Sequence, residues 1–127
     1  MRFVKIAALA TAALLATSAT ASAAPVSSAR ALFLIQLTVT GGWSRTVSLN
    51  CDPDGGAHPK PVASCALLTA VEGDLWRYLG QQGICTREYQ PHTAALTGWW
   101  AGRTVHFQRI FANRCEMLLA TGSVFDL

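Results

Sequence analysis

Apolar and polar residues alternate from Ile35 to Thr40, with Ile35, Leu37 and Val39 on one side and Gln36, Thr38 and Thr40 on the other. A period of two predicts a half-buried strand, and Gly41-Gly42 breaks it. A second alternation sets Val47 and Leu49 against Thr46, Ser48 and Asn50 and runs into Cys51. Asp52 to Pro61 holds three prolines and two glycines and reads as loop. Between Pro61 and Leu79, the residues Cys65, Leu68, Val71, Leu75 and Leu79 recur at helical steps, which predicts a helix with Pro61 in its first turn and a kink or end at Gly73.

Gly80 to Pro91 has little periodicity and reads as a loop held at Cys85. Ala94–Trp99 and Thr104–Gln108 then predict a hairpin around a tight Ala101-Gly102 turn, with Trp99, Trp100 and Phe107 in sheet packing. Phe111 to Met117 suits one helical turn, and Ser123 to Leu127 a last short strand. The pattern is that of an α+β domain, an antiparallel sheet of about five strands with a helix packed on one face.

Ahead of this body lies a different kind of segment. Arg2 and Lys5 precede an apolar run from Ile6 to Leu15, interrupted only by Thr11, and Ala21-Ser22-Ala23 supplies small residues. That layout predicts a secretion signal cleaved after Ala23, because the run is shorter than the roughly 20 residues that span a bilayer. Ala24 to Arg30 is small-residue chain with one proline and reads as a disordered arm. The organisation is therefore a leader over 1–23, a flexible arm over 24–34 and one domain over 35–127.

Removing the leader changes the charge. Without Arg2 and Lys5, eight Lys and Arg face seven Asp and Glu, and the formal charge falls from +3 to +1. Near-neutrality argues against nucleic-acid and membrane partners, which need a dense basic patch. Export also puts the four cysteines, Cys51, Cys65, Cys85 and Cys115, in an oxidising compartment, where two disulfides are expected. Their intervals of 13, 19 and 29 residues lack the close pairs typical of zinc sites, so no metal is expected. Three connectivities remain open on spacing alone.

Candidate acid and base groups are His58, His92 and His106, with Lys60, Glu88 and Glu116. A small secreted ribonuclease could use two of them. Their contexts favour other roles: His58 sits before a proline in loop, His106 on the polar face of a strand, and His92 just after Pro91. The chain also lacks a Gly-x-Ser-x-Gly elbow, a His-Glu-x-x-His pair and a phosphate-binding glycine loop. More informative is Gly83-Ile84-Cys85-Thr86-Arg87-Glu88-Tyr89-Gln90-Pro91, where a cysteine stands two residues before an arginine and a proline four residues after it. It describes an extended, exposed loop pinned at one side and stiffened at the other.

From about Leu37 to Leu127 the chain resembles the Streptomyces-type subtilisin inhibitors. The resemblance is carried by Leu37-Thr38-Val39-Thr40, Val47-x-Leu49-x-Cys51-x-Pro53, Gly56-x-His58-Pro59, Ala63-x-Cys65 and Gly73-Asp74-Leu75. It continues through Cys85-Thr86-Arg87-Glu88-Tyr89-x-Pro91, Gly98-x-Trp100-x-Gly102-Arg103-x-Val105, Phe111-x-Asn113-x-Cys115 and Ser123-Val124-Phe125. What it implies is a non-enzymatic, cofactor-free inhibitor of secreted serine proteases, subtilisin-like and trypsin-like, acting by the substrate-like standard mechanism.

The resemblance further implies disulfides Cys51–Cys65 and Cys85–Cys115 and a protease-binding loop over Gly83, Ile84, Cys85, Thr86, Arg87, Glu88 and Tyr89. The reactive bond would be Arg87–Glu88, with Asn113 supporting the loop from below. It implies a five-stranded antiparallel sheet with two helices, and a homodimer formed through sheet packing. Three local departures stand out. Where the family commonly has Asp-Pro-Val this chain has Gln90-Pro91-His92, the loop between Cys51 and Cys65 is slightly shorter than in some relatives, and Trp99 adds an aromatic beside Trp100.

Overall fold

The computed structural model describes residues 16, 18–21 and 29–127, so most of the expected leader and the first part of the arm lie outside the described residues. Five strands form one antiparallel sheet in the order β3-β2-β1-β4-β5. They are β1 (Ala31–Val39), β2 (Ser44–Cys51), β3 (Gly55–Gly56), β4 (His92–Trp100) and β5 (Arg103–Phe111). Helices α1 (Pro61–Ala70) and α2 (Arg114–Thr121) complete it. Among the described residues, no helix is long and apolar enough to cross a membrane.

The central strand β1 buries Ala31, Phe33, Ile35, Leu37 and Val39 and turns Leu32, Leu34 and Gln36 outwards. It therefore begins at Ala31, inside the segment assigned to the arm. Alternation was hidden there because Leu32 and Leu34 are apolar on the outer face as well. One face of the sheet meets the helices in a single core that holds Leu68 of α1, Met117 of α2, and Val124 and Phe125 near the C-terminus. The β4–β5 turn has positive φ at both Ala101 (43°) and Gly102 (86°), the twist that suits a two-residue hairpin.

Helix α1 stops at Ala70 rather than continuing to Leu79. The Glu72 N–H donates to Thr69 O (3.1 Å) and the Gly73 N–H to Leu68 O (2.8 Å), with φ of 54° and 78° at the two residues. These paired bonds form a Schellman ending, which satisfies the last carbonyls. Leu75–Arg77 then makes a short 3-10 turn, in which Asp74 accepts from the Trp76 N–H. Leu75 stays buried, but Leu79 is fully exposed.

The tail also differs from expectation. Gly122–Phe125 is a 3-10 turn following α2, not a strand. Val124 and Phe125 are both fully buried, and successive residues of a half-buried strand would point to opposite faces. The fifth strand is instead the short Gly55–Gly56 pairing with Asn50 and Leu49, inside the stretch read as loop. Helix α2 runs from Arg114 to Thr121, later than the turn expected from Phe111, because β5 extends through Phe111.

Candidate functional site

The segment from Tyr78 to Pro91 has no helix or strand, yet it is held at closely defined points. Cys85 is bonded to Cys115 at the first turn of α2, with a Cα–Cα distance of 5.7 Å. Before it, the Gln81 N–H donates to Leu119 O at 2.7 Å. Gly80 lies against α2 so closely that a Cβ there would meet Leu119 O at 2.9 Å. After it, the Gln90 N–H donates to Ala112 O at 2.8 Å. Helix α2 and its junction with β5 thus form the platform for the segment, with Leu119 holding its start and Ala112 its end.

Asn113 is the centre of that platform. Its side chain is buried, and its amide nitrogen donates to Thr86 O at 3.2 Å and to Glu88 O at 2.8 Å. A primary amide carries two N–H donors, one for each carbonyl. Its oxygen meanwhile accepts the Glu116 N–H at 2.9 Å as the N-cap of α2. One residue therefore joins a helix terminus to the two carbonyls flanking the Arg87–Glu88 peptide. The Asn113-x-x-Glu116 spacing is the start signal of a helix and was readable in the sequence.

The side chains of Thr86, Arg87, Glu88 and Tyr89 are exposed, as is Ile84, and Gly83 precedes them on the outside of the molecule. Among the described residues, the Arg87 guanidinium forms no ion pair. The segment therefore presents outward side chains on irregular backbone over a fixed base. The other disulfide, Cys51–Cys65, joins the end of β2 to α1 with a Cα–Cα distance of 5.5 Å.

The structure keeps the three histidines apart. His58 is buried; its Nδ1 accepts the Lys60 N–H and its Nε2 donates to Val124 O, each at 2.9 Å. Burial lowers its pKa below the ordinary value, against a smaller raising effect of the Val124 hydrogen bond, so the neutral ring is favoured. Ser64 Oγ lies 3.4 Å from His58 Nε2, but that nitrogen already carries the hydrogen given to Val124 and cannot take the serine proton. His92 opens β4, whereas His106 pairs with Thr97, five residues along the same strand and on the outer face. At about 3.3 Å per residue, the two lie roughly 17 Å apart, too far to share one reacting group.

At the C-terminus, Asp126 pairs with Lys60 and Arg114. The Lys60 hydrogen bond, more than its charge or that of Arg114, holds the Asp126 carboxyl below its usual pKa, against some burial. On the outer face of the sheet, Leu32, Leu34 and Trp99 are exposed together around a shallow apolar depression. Trp99 is thus directed outwards, unlike the buried Trp100 and Phe107, because adjacent strand residues face opposite ways.

The family profile described as Subtilisin inhibitor-like matches residues 34–113. The chain belongs to that family. It is 44% identical over 85 residues to subtilisin inhibitor-like protein 1 of Streptomyces cacaoi, covering 64% of this chain and 77% of the relative. Kexstatin-1 of Streptomyces platensis is 38% identical over 127 residues, covering 88% of this chain and 87% of that protein. The crystal structure of Streptomyces caespitosus sermetstatin in complex with Bacillus licheniformis subtilisin superposes with a TM-score of 0.61 at 26% identity, over 76% of this chain and 98% of the other. Membership places this subtilisin inhibitor-like chain among inhibitors rather than enzymes.

Proposed function

We propose that this family member is a secreted inhibitor of subtilisin-like and trypsin-like serine proteases, acting as a tight substrate through the Arg87–Glu88 bond. The observation that carries the reading is the Asn113 side chain, which bonds the carbonyls of both Thr86 and Glu88 on either side of that peptide. A protease would bind Thr86 to Glu88 as an extended strand, and its serine oxygen would attack the Arg87 carbonyl carbon. The C–N bond breaks, the Glu88 nitrogen takes the proton, and an acyl-enzyme remains.

Religation then competes with hydrolysis. Cys85–Cys115 and Asn113 keep the new amine beside the ester, at an effective concentration far above that of any free amine. A loop already in its bound shape also loses little entropy on docking. The Arg87 side chain would enter the primary pocket, where a carboxylate at the base gives trypsin-like enzymes a charge-assisted, often bidentate contact.

Secretion is supported by the charged and apolar layout of residues 1–23 and by the two disulfides. A homodimer through the outer sheet face is supported by the exposed Leu32, Leu34 and Trp99. Titration of subtilisin and trypsin with the purified protein tests the central reading. Stoichiometric loss of activity is expected, followed on long incubation by a new amino terminus at Glu88. No inhibition at micromolar protein would overturn it.

A further inference from the structure

The outgoing side of the loop is held in a way that the inhibitor reading does not use. Gln90 has both backbone groups engaged: its N–H donates to Ala112 O at 2.8 Å, and its carbonyl lies 2.6 Å from His92 Nδ1. A carbonyl oxygen only accepts, so the ring nitrogen carries the hydrogen. Pro91 between them has no N–H to offer, and its own carbonyl accepts the Thr40 N–H at 2.9 Å. The His92 ring is buried at the first register position of β4, between Val39 of β1 and Phe111 of β5.

We propose that His92 is a positioning residue of the reactive loop, its Nδ1–H pinning the Gln90 carbonyl so that the Glu88–Gln90 side stays aligned with Arg87. This rests on the inhibitor reading above. Asn113 bonds both sides of the Arg87–Glu88 bond, through Thr86 O and Glu88 O, and each side has further restraints of its own. The Arg87 side is two residues from a disulfide, whereas Glu88 to Gln90 is held by three hydrogen bonds, from Asn113, to Ala112 and from His92. After cleavage, those three bonds are the nearest restraints on the amine that must return. Loss of one of them lowers the fraction of time the amine sits in attacking position.

The test compares His92→Leu, which fills the space without a donor, and His92→Asn, whose side-chain N–H can replace Nδ1–H. Two readouts are needed: amide hydrogen exchange of the free protein, and the rate at which subtilisin cuts Arg87–Glu88. In His92→Leu the Gln90 amide should exchange roughly three- to tenfold faster and cutting should accelerate by a similar factor, the loss expected for one hydrogen bond. His92→Asn should restore both towards the parent.

Unchanged Gln90 exchange in His92→Leu would overturn the proposal, as would faster exchange with unchanged cutting. Protection lost equally across β1 and β4 would also overturn it, by making His92 a residue of the fold at large. Should the parent protein neither inhibit subtilisin nor be cut, the inhibitor reading fails, and the exchange data alone still decide whether His92 holds the segment.

Discussion

The Asn113 amide nitrogen stands 2.8 Å from the Glu88 carbonyl oxygen while the same side chain caps α2 through Glu116. Loop shape and helix start are thereby coupled through one buried residue, and a substitution can separate them. Asn113→Ser keeps an oxygen for the cap but cannot reach both carbonyls. It should cost little melting temperature yet raise the rate of cutting at Arg87–Glu88 at least tenfold. Asn113→Ala also loses the cap, a further loss of about 1 kcal/mol, or roughly 4–8 °C for a domain of this size. Thermal melts and amino-terminal sequencing after incubation with subtilisin check both.

Arg87 is expected to set the target range. Arg87→Met removes the charge that pairs with an acidic pocket but keeps a long side chain. Trypsin inhibition should disappear while subtilisin inhibition persists within about tenfold. Parallel titrations of the two enzymes measure this, and unchanged trypsin inhibition would refute the assignment of Arg87.

The two disulfides should differ in consequence. Cys85–Cys115 closes 30 residues and Cys51–Cys65 closes 14, contributions of about 4 and about 3 kcal/mol from loop-closure entropy. Replacing Cys85 and Cys115 by serine should turn the inhibitor into a substrate that subtilisin cuts within minutes. Replacing Cys51 and Cys65 should lower the urea midpoint but leave stoichiometric inhibition intact at a temperature where the variant is folded.

Acid should weaken the fold in two separate windows. His58 is held neutral by burial, so its folded pKa is below the unfolded value of about 6.5, and the unfolded chain binds more protons as pH falls from there. Stability is complete above pH 6.5, declines below it and levels off beneath the folded pKa. Asp126, held below its ordinary 3.8 by Lys60, contributes stability that is full above that value and is lost as pH falls through its folded pKa. Urea denaturation from pH 8 to 3 should show both declines; Asp126→Asn should remove the lower one and, because the Asp126 charge raises the His58 pKa, deepen the upper one.

Some of the structure was legible because the signals are local. The alternation of Ile35, Leu37 and Val39 marked β1, and Ala101-Gly102 marked the β4–β5 turn, since each depends on neighbours in the chain. The loop was legible for the same reason, with Cys85, Arg87 and Pro91 lying within seven residues. The end of α1 was harder to read. Apolar spacing ran on to Leu79, but the Schellman bonds at Glu72 and Gly73 closed the helix at Ala70.

By itself the sequence determined the strand periods, the tight hairpin turn, the exposed loop and, through resemblance, the family and its cysteine pairing. Only the tertiary structure decided what each buried polar group bonds. His58 meets Val124 across 66 positions, and Asn113 reaches Glu88 across 25. Side-chain hydrogen bonds of that span leave no periodic trace, because their partners become neighbours only when the sheet and helices pack around a common core. The tail shows the same limit: Val124 and Phe125 are both buried by the cavity they fill between α1, α2 and the sheet, which no local pattern encodes.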